Sequence, residues 1–311
     1  MSALNGCGSV GASVYSMRIK VDHRTSQGPP DSSSNMNWEG VFSEMPFELA
    51  SDTDPLQLFQ VASLSQIVKY GDKYLRVRKI EDWPNALNGL QIENSGNITK
   101  IGAAVDVSTR VLTAAAKQHV DLLIVHHGLF WPGLQSIAGG LRRQLKIAFE
   151  NDIALYSAHL PLDVHPEVGN NAQLAAALGF KSTKPFLEEK GELVGLRVKD
   201  ALPRAEVIRK LRRVLRGPIK AFNFGPKETT RIGIVTGGAG SEIYRVTQEK
   251  IDMFITGEAP HWAAVAAEEL GINLLLGGHY ATETFGVKAM AARLSKRFNV
   301  PWEFLDFPTG L

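Results

Sequence analysis

The run Leu122–Val125 (LLIV) has no polar position on either face, and it ends directly in His126, His127 and Gly128. A strand that is apolar on both sides belongs inside a sheet covered by helices on both faces. Similar short runs recur at Ile101–Val107 (IGAAVDV), Ile153–Ser157, Arg231–Thr236, Met253–Thr256, Asn273–Leu276 and Trp302–Phe307. Between them, Ser108–Gln118, Leu141–Asn151, Asn170–Leu178, Ser241–Glu249, Pro260–Leu270 and Ala281–Phe298 carry apolar residues at helical spacing. Alternating strands and helices predict an α/β fold, two-lobed, with mainly parallel or mixed sheets and helices on both faces.

The rhythm breaks between residues 181 and 229, read as a small insert or second lobe. There Leu193–Val198 alternates like a strand, Ala205–Leu215 is helical, and Ile219–Phe224 reads as a further strand. Either side of this break the halves echo each other, each with a strand that delivers polar residues at its end. Residues 1–53 are rich in Ser, Gly, Asn and Pro and lack periodicity, which predicts a disordered extension. The α/β domain is expected over 54–311, its first helix opening at Asp54–Pro55.

Composition removes several classes of function. Across 311 residues, 34 Lys and Arg face 32 Asp and Glu, a net charge of +2, so no footprint for specific nucleic acid or a membrane surface is expected. The basic run at Lys210–Arg216 reads as a solvated helix face. No stretch approaches a membrane span, and no apolar secretory core opens the chain. The single cysteine, Cys7, excludes an intrachain disulfide and a Cys-based zinc site. A cytoplasmic location fits this pattern, and any metal site must use His and carboxylates.

Three segments place such residues beyond strand ends, where open α/β sheets bind their ligands. The first holds His126 and His127. The second, YSAHLPLDVHPEVGNN, holds His159, Asp163 and His165; the third, GGHYATETFG, holds His279 and Glu283. The spacing of His279 and Glu283 puts both on one helix face. The candidate ligand set is therefore His126, His127, Asp163, His279 and Glu283, with Asp163 a candidate bridge between two ions. Mixed N/O ligation suits Zn, Mn, Fe or Ni, and few protein ligands per ion leaves positions for water, as a catalytic site needs. Taken singly, each of these residues reads equally as a hydrogen-bonded turn or helix-end residue; their co-occurrence carries the inference. His159, His165, Glu258 and His261 are candidates for the surrounding shell or for substrate contact. The turn Thr236–Gly240 (TGGAG) either presents backbone N–H groups to an anion or permits tight strand–helix packing.

These motifs, with NGLQIENSG near Asn88 and FITGEAPH at 254–261, resemble the dinuclear-metal-centre family known as GTP cyclohydrolase I type 2, or the NGG-interacting-factor family. The resemblance runs from about residue 60 to the C-terminus. It implies a ring-like homohexamer with two divalent ions per chain on His126, His127, Asp163, His279 and Glu283. It also implies hydrolysis of GTP to dihydroneopterin triphosphate, through a metal-activated water attacking C8 of the guanine. The reading of a different class is a non-enzymatic metal-binding scaffold or regulatory interaction protein.

Overall fold

A computed structural model describes residues 61–311. The expected N-terminal extension and the helix opening at Asp54 lie outside these residues. In chain order the first half runs β1 (Ala62–Ser63), α1 (Leu64–Tyr74), β2 (Gly89–Ile92), β3 (Asn97–Ile98), β4 (Ile101–Asp106), α2 (Thr109–Lys117) and β5 (Leu122–His127). It continues with α3 (Gly139–Glu150), β6 (Ala154–Ser157), α4 (Leu160–Asp163) and α5 (Asn170–Ala177). The middle holds β7 (Thr183–Glu189), β8 (Glu192–Val198), β9 (Leu202–Pro203), α6 (Arg204–Leu215), β10 (Lys220–Asn223) and β11 (Glu228–Thr229). The last part holds β12 (Ile232–Ile234), α7 (Ile243–Gln248), β13 (Met253–Thr256), α8 (His261–Glu269), β14 (Asn273–Leu276), α9 (His279–Phe298) and β15 (Trp302–Phe304).

Two main sheets result. The first has the order β15-β4-β5-β6-β2, parallel except for β2, which runs antiparallel to β6. The second has the order β10-β14-β13-β12-β8-β7, with β12, β13 and β14 parallel and the outer strands antiparallel. Each sheet is thus built on three consecutive parallel strands, with an antiparallel strand beside the third. Residues 183–198 supply β7 and β8 to the second sheet. Pro185, Lys184 and the flanking glutamates of β7 hide it from an alternation test, and they suit the sheet edge it occupies.

Both sheets are covered on both faces, as the doubly apolar strands require. On the first, Val111, Leu112 and Ala115 of α2 pack with Leu123, Val125 and Leu155 on one face. On the other, Val287, Met290, Ala291 and Leu294 of α9 pack with Ile101, Leu122 and Ile124. On the second sheet, Leu174 and Ala175 of α5 pack with Ile232, Met253 and Leu275. The lobes therefore exchange helices: α9 leaves the second sheet to cover the first, and α5 does the reverse. Each buried aliphatic side chain in these contacts contributes about 1.5–3 kcal/mol, so the exchange fastens the lobes to one another. Among the described residues, no helix is long and apolar enough to cross a membrane.

Candidate metal centre

The carboxyl ends of the two sheets face a common space, and the sequence-nominated residues divide between them. β5 carries His126 and His127 at its last two positions. The turn after β6 carries His159 and, at the end of α4, Asp163. The turn after β14 carries His279 as the first residue of α9, with Glu283 one turn on.

Four imidazoles here share one habit. Nδ1 of His126 meets the Ala158 carbonyl at 2.9 Å, and that of His127 meets Asp106 Oδ1 at 2.8 Å. Nδ1 of His159 meets Asp82 Oδ1 at 3.0 Å, and that of His279 meets Glu258 Oε1 at 3.0 Å. A carbonyl or carboxylate oxygen only accepts, so Nδ1 carries the proton and the neutral ring turns an Nε2 lone pair outward. Three of those lone pairs, on His126, His127 and His279, meet further acceptors. His126 Nε2 lies 3.5 Å from Asp163 Oδ2 and 3.5 Å from Glu283 Oε1. His127 Nε2 lies 3.5 Å, and His279 Nε2 3.2 Å, from Glu283 Oε2. His126 is fully buried, and its Nε2 and the Glu283 Oε2 lack any hydrogen-bond partner.

Converging lone pairs need a positive charge between them, from protons or from a metal. With protons alone, burial pushes His126 down, but the Asp163 and Glu283 carboxylates outweigh it and lift it to about 10. Burial likewise opposes the charge on His279, and Glu283 and Glu258 raise it to about 9. Burial holds His127 below the usual imidazole range despite its bond to Asp106. Burial would raise Glu283, but His126, His279 and His127 hold it well below the usual carboxylate range. A divalent cation satisfies the same atoms without buried protons. The donor set fits one: His126, His127 and His159 form one group of converging ligand atoms, and His127, His279 and Glu283 another, each within 4.8 Å.

Asp163 reaches one imidazole; Glu283 reaches three. Asp163 is instead tied down by Asn170, whose Nδ2 donates to Oδ1 at 2.8 Å while its Oδ1 accepts the Gly286 N–H of α9. Of the wider candidates, His159 packs at a tilt against His126 and His127, and Glu258 holds His279. His165 lies elsewhere: its Nδ1 accepts backbone N–H bonds from Glu167 and Val168, and its ring packs on Tyr74. His261 opens α8 without a contact to this cluster. Sequence reasoning missed Asp82, Asp106 and Asn170. Asp106 ends β4 as His127 ends β5, in direct register, and that strand-end position was its available signal. Asp82 lies in an irregular loop and had none. The glycine turn after β12 packs on the cluster: Gly237 has φ +71°, and a Cβ there would run into Glu283 Oε1.

A cavity of about 610 Å³ opens over the cluster, lined by His127, His159, Asp163, His279 and Glu283 among others. Trp83 and Trp131 flank His159, and Leu187, Val194 and Val235 close the second-lobe side.

Residues 62–309 match the Duf34/NIF3 (NGG1p interacting factor 3) family. A Deinococcus radiodurans protein named GTP cyclohydrolase 1 type 2 homolog is 40% identical over 254 residues, covering 79% of this chain and 94% of that one. A Pyrococcus abyssi protein of the same name is 37% identical, covering 79% and 98%. A solved structure from Thermus thermophilus is 39% identical with a TM-score of 0.74, covering 80% of this chain and all of that one.

Proposed function

Since the chain belongs to the Duf34/NIF3 family, and since the buried His126 and the half-buried His127 and His279 turn their lone pairs onto two carboxylates, we propose that it is a metal-dependent hydrolase holding two divalent ions. His126, His127, Asp163, His279 and Glu283 would hold the ions, and Glu283 meets imidazoles from both lobes. The single observation that carries this is the partnerless pair of buried atoms, His126 Nε2 and Glu283 Oε2. Divalent ions held there supply Lewis-acid polarisation of the scissile group and a water made nucleophilic near neutral pH.

The chain's own groups supply positioning and proton transfer. Asp106, Asp82, Glu258 and the Ala158 carbonyl fix the imidazole tautomers, as outer partners of metal-binding histidines do. His159, flanked by indoles at the cavity wall and backed by Asp82, would accept a proton from the attacking water at Nε2 and return it to the leaving group. Asp82 accepts its Nδ1–H and stabilises the imidazolium that forms. The relatives' name makes GTP the first compound to assay, with opening of the guanine ring after attack at C8 as the reaction sought. The family resemblance is the ground for a cytoplasmic homohexamer, and exposed Leu134, Ile137 and Phe149 give an apolar surface that a second copy would cover.

The experiment is elemental analysis of the purified chain and of a His126→Ala/Asp163→Ala variant, together with a turnover assay before and after chelation. About two ions per chain, lost in the variant, with turnover that one metal restores, supports the reading. Two ions with no turnover on any hydrolysable substrate leaves a metal-binding scaffold instead. No retained ion in the wild type overturns both.

A further inference from the structure

The three parallel strands of the second lobe end in turns that meet at one peptide, that of Gly237. The chain turns through Gly237 after β12, through Gly257 and Glu258 after β13, and through Gly277 and Gly278 after β14. The Gly237 carbonyl accepts the Gly257 N–H at 2.9 Å, the Glu258 N–H at 3.0 Å and the Thr256 hydroxyl at 3.1 Å. The Gly278 N–H donates to the Gly257 carbonyl at 2.9 Å and closes the third turn onto the second. The packing is tight enough that a Cβ on Gly257 would lie 2.7 Å from both the His279 Cα and Thr282 Oγ1.

Each turn governs one part of the metal-binding half. Glu258 orients His279, His279 opens α9, and the Gly237 backbone lies against the Glu283 carboxylate. The bonds to the Gly237 carbonyl tie it to the β13 turn alone. Its N–H donates to Thr282 Oγ1 at 3.1 Å, and among the described residues this is its one hydrogen bond to α9, the helix that carries Glu283. Thr282 is fully buried, and its hydroxyl lies 2.9 Å from the Gly278 carbonyl and 3.0 Å from the His279 carbonyl. It donates to that pair while it accepts from Gly237, which a hydroxyl can do and a methyl cannot. Without it the Gly237 N–H is buried with no partner, and nothing pins the turn to the helix.

We infer that Thr282 is a positioning residue of the centre. Its hydroxyl holds the Gly237 turn against Glu283, so that Oε1 of that carboxylate is kept on His126 and Oε2 on His127 and His279. Thr282 acts only through Gly237 and Glu283. The inference rests on reading the site as a metal centre and names what aims its most connected ligand.

The test uses the full chain loaded with Co²⁺, whose visible absorption bands report ligand number and geometry. Thr282→Val keeps the side-chain shape and removes the hydroxyl; Thr282→Ser keeps the hydroxyl. Spectrum, Co²⁺ affinity and chemical denaturation are compared with wild type. Thr282→Val is expected to bind Co²⁺ about 10–100-fold more weakly with altered bands, and Thr282→Ser to keep the wild-type bands and bind within about threefold. A Thr282→Val chain that loses stability yet keeps the wild-type spectrum and affinity would show a purely structural role and overturn the inference. So would a Thr282→Ser chain that behaves like Thr282→Val. If Thr282→Val does not fold, Thr256→Val decides, since it loosens the same peptide while leaving its carbonyl two N–H donors. A shifted spectrum there supports the inference, and an unchanged one overturns it. Failure of the metal reading looks different: the wild-type chain itself takes up no Co²⁺, and the inference falls with it.

Discussion

The two lobes solve one problem with different materials. In each, three parallel strands run in chain order, and the turn after the third opens a helix whose first turn places a carboxylate four residues after a histidine. In the first lobe this is His159 to Asp163; in the second, His279 to Glu283. The middle strand delivers His126 and His127 in the first lobe and Gly257 and Glu258 in the second. The first lobe's helix is a single turn, and the side chain of its orienting acid, Asp82, is 5% exposed. The second lobe's helix runs for 20 residues onto the opposite sheet, and the side chain of its orienting acid, Glu258, is 44% exposed. The first lobe is a fixed frame of tautomers. The second sends one long lever, α9, whose Glu283 closes onto that frame.

If Glu283 joins the lobes, losing it should cost most. Glu283→Ala should reduce ion content from about two to one or fewer and lower metal affinity more than the roughly 10–100-fold typical of an orienting partner. Asp163→Ala, which touches one imidazole, should cost less. Elemental analysis of the two variants side by side decides this, and an equal loss would remove the asymmetry between the carboxylates.

Gly237→Ala strikes the same junction from the backbone. Its φ of +71° is unfavourable for any Cβ, and that Cβ would press on Glu283 Oε1. A loss of about 2–4 kcal/mol in chemical denaturation is expected, with weakened metal binding. Gly271 has φ +62° but open space around it, so Gly271→Ala should show the backbone cost alone. Similar losses at both positions would mean that the contact with Glu283 contributes nothing.

How legible this was in the sequence follows the same division. Strands such as Leu122–His127 announce themselves because both faces are apolar, and residues at their ends are then flagged by position alone. His279 and Glu283 are legible because helix geometry fixes an i, i+4 pair without knowledge of the fold. Asp82 was not legible, since its meeting with His159 joins a loop to a turn 77 positions away. Asn170 was passed over for a similar reason: as a helix-start asparagine it resembles a cap, and only the exchange of helices shows that it ties Asp163 to α9. Periodicity reports which face is buried; it does not report which lobe does the burying.

The orienting acids offer a finer comparison. Asp82 also accepts bonds from Asn88 Nδ2 and the Leu160 N–H, and these with His159 hold it below the usual carboxylate range although burial opposes the charge. Asp82→Asn should therefore weaken metal binding by roughly tens of fold, while Glu258→Gln, in solvent, should cost only a few fold. Isothermal titration with Zn²⁺ distinguishes them, and an equal effect would mean that burial does not set the rigidity of the frame.

The smallest effect is the pH dependence of metal uptake. Without metal, His126 holds its proton up to about 10 and His279 up to about 9. Both lie above the ordinary imidazole value, so their protons stabilise the metal-free fold fully below that value. This stability is lost as pH rises through about 9 for His279 and about 10 for His126. A metal must expel the same protons, so its affinity should rise with pH over this range and level off above it. Metal titrations at stepped pH should then show tighter uptake at higher pH, with proton release that falls in His279→Ala. An affinity that does not change with pH would show that neither imidazole carries a proton the metal must displace.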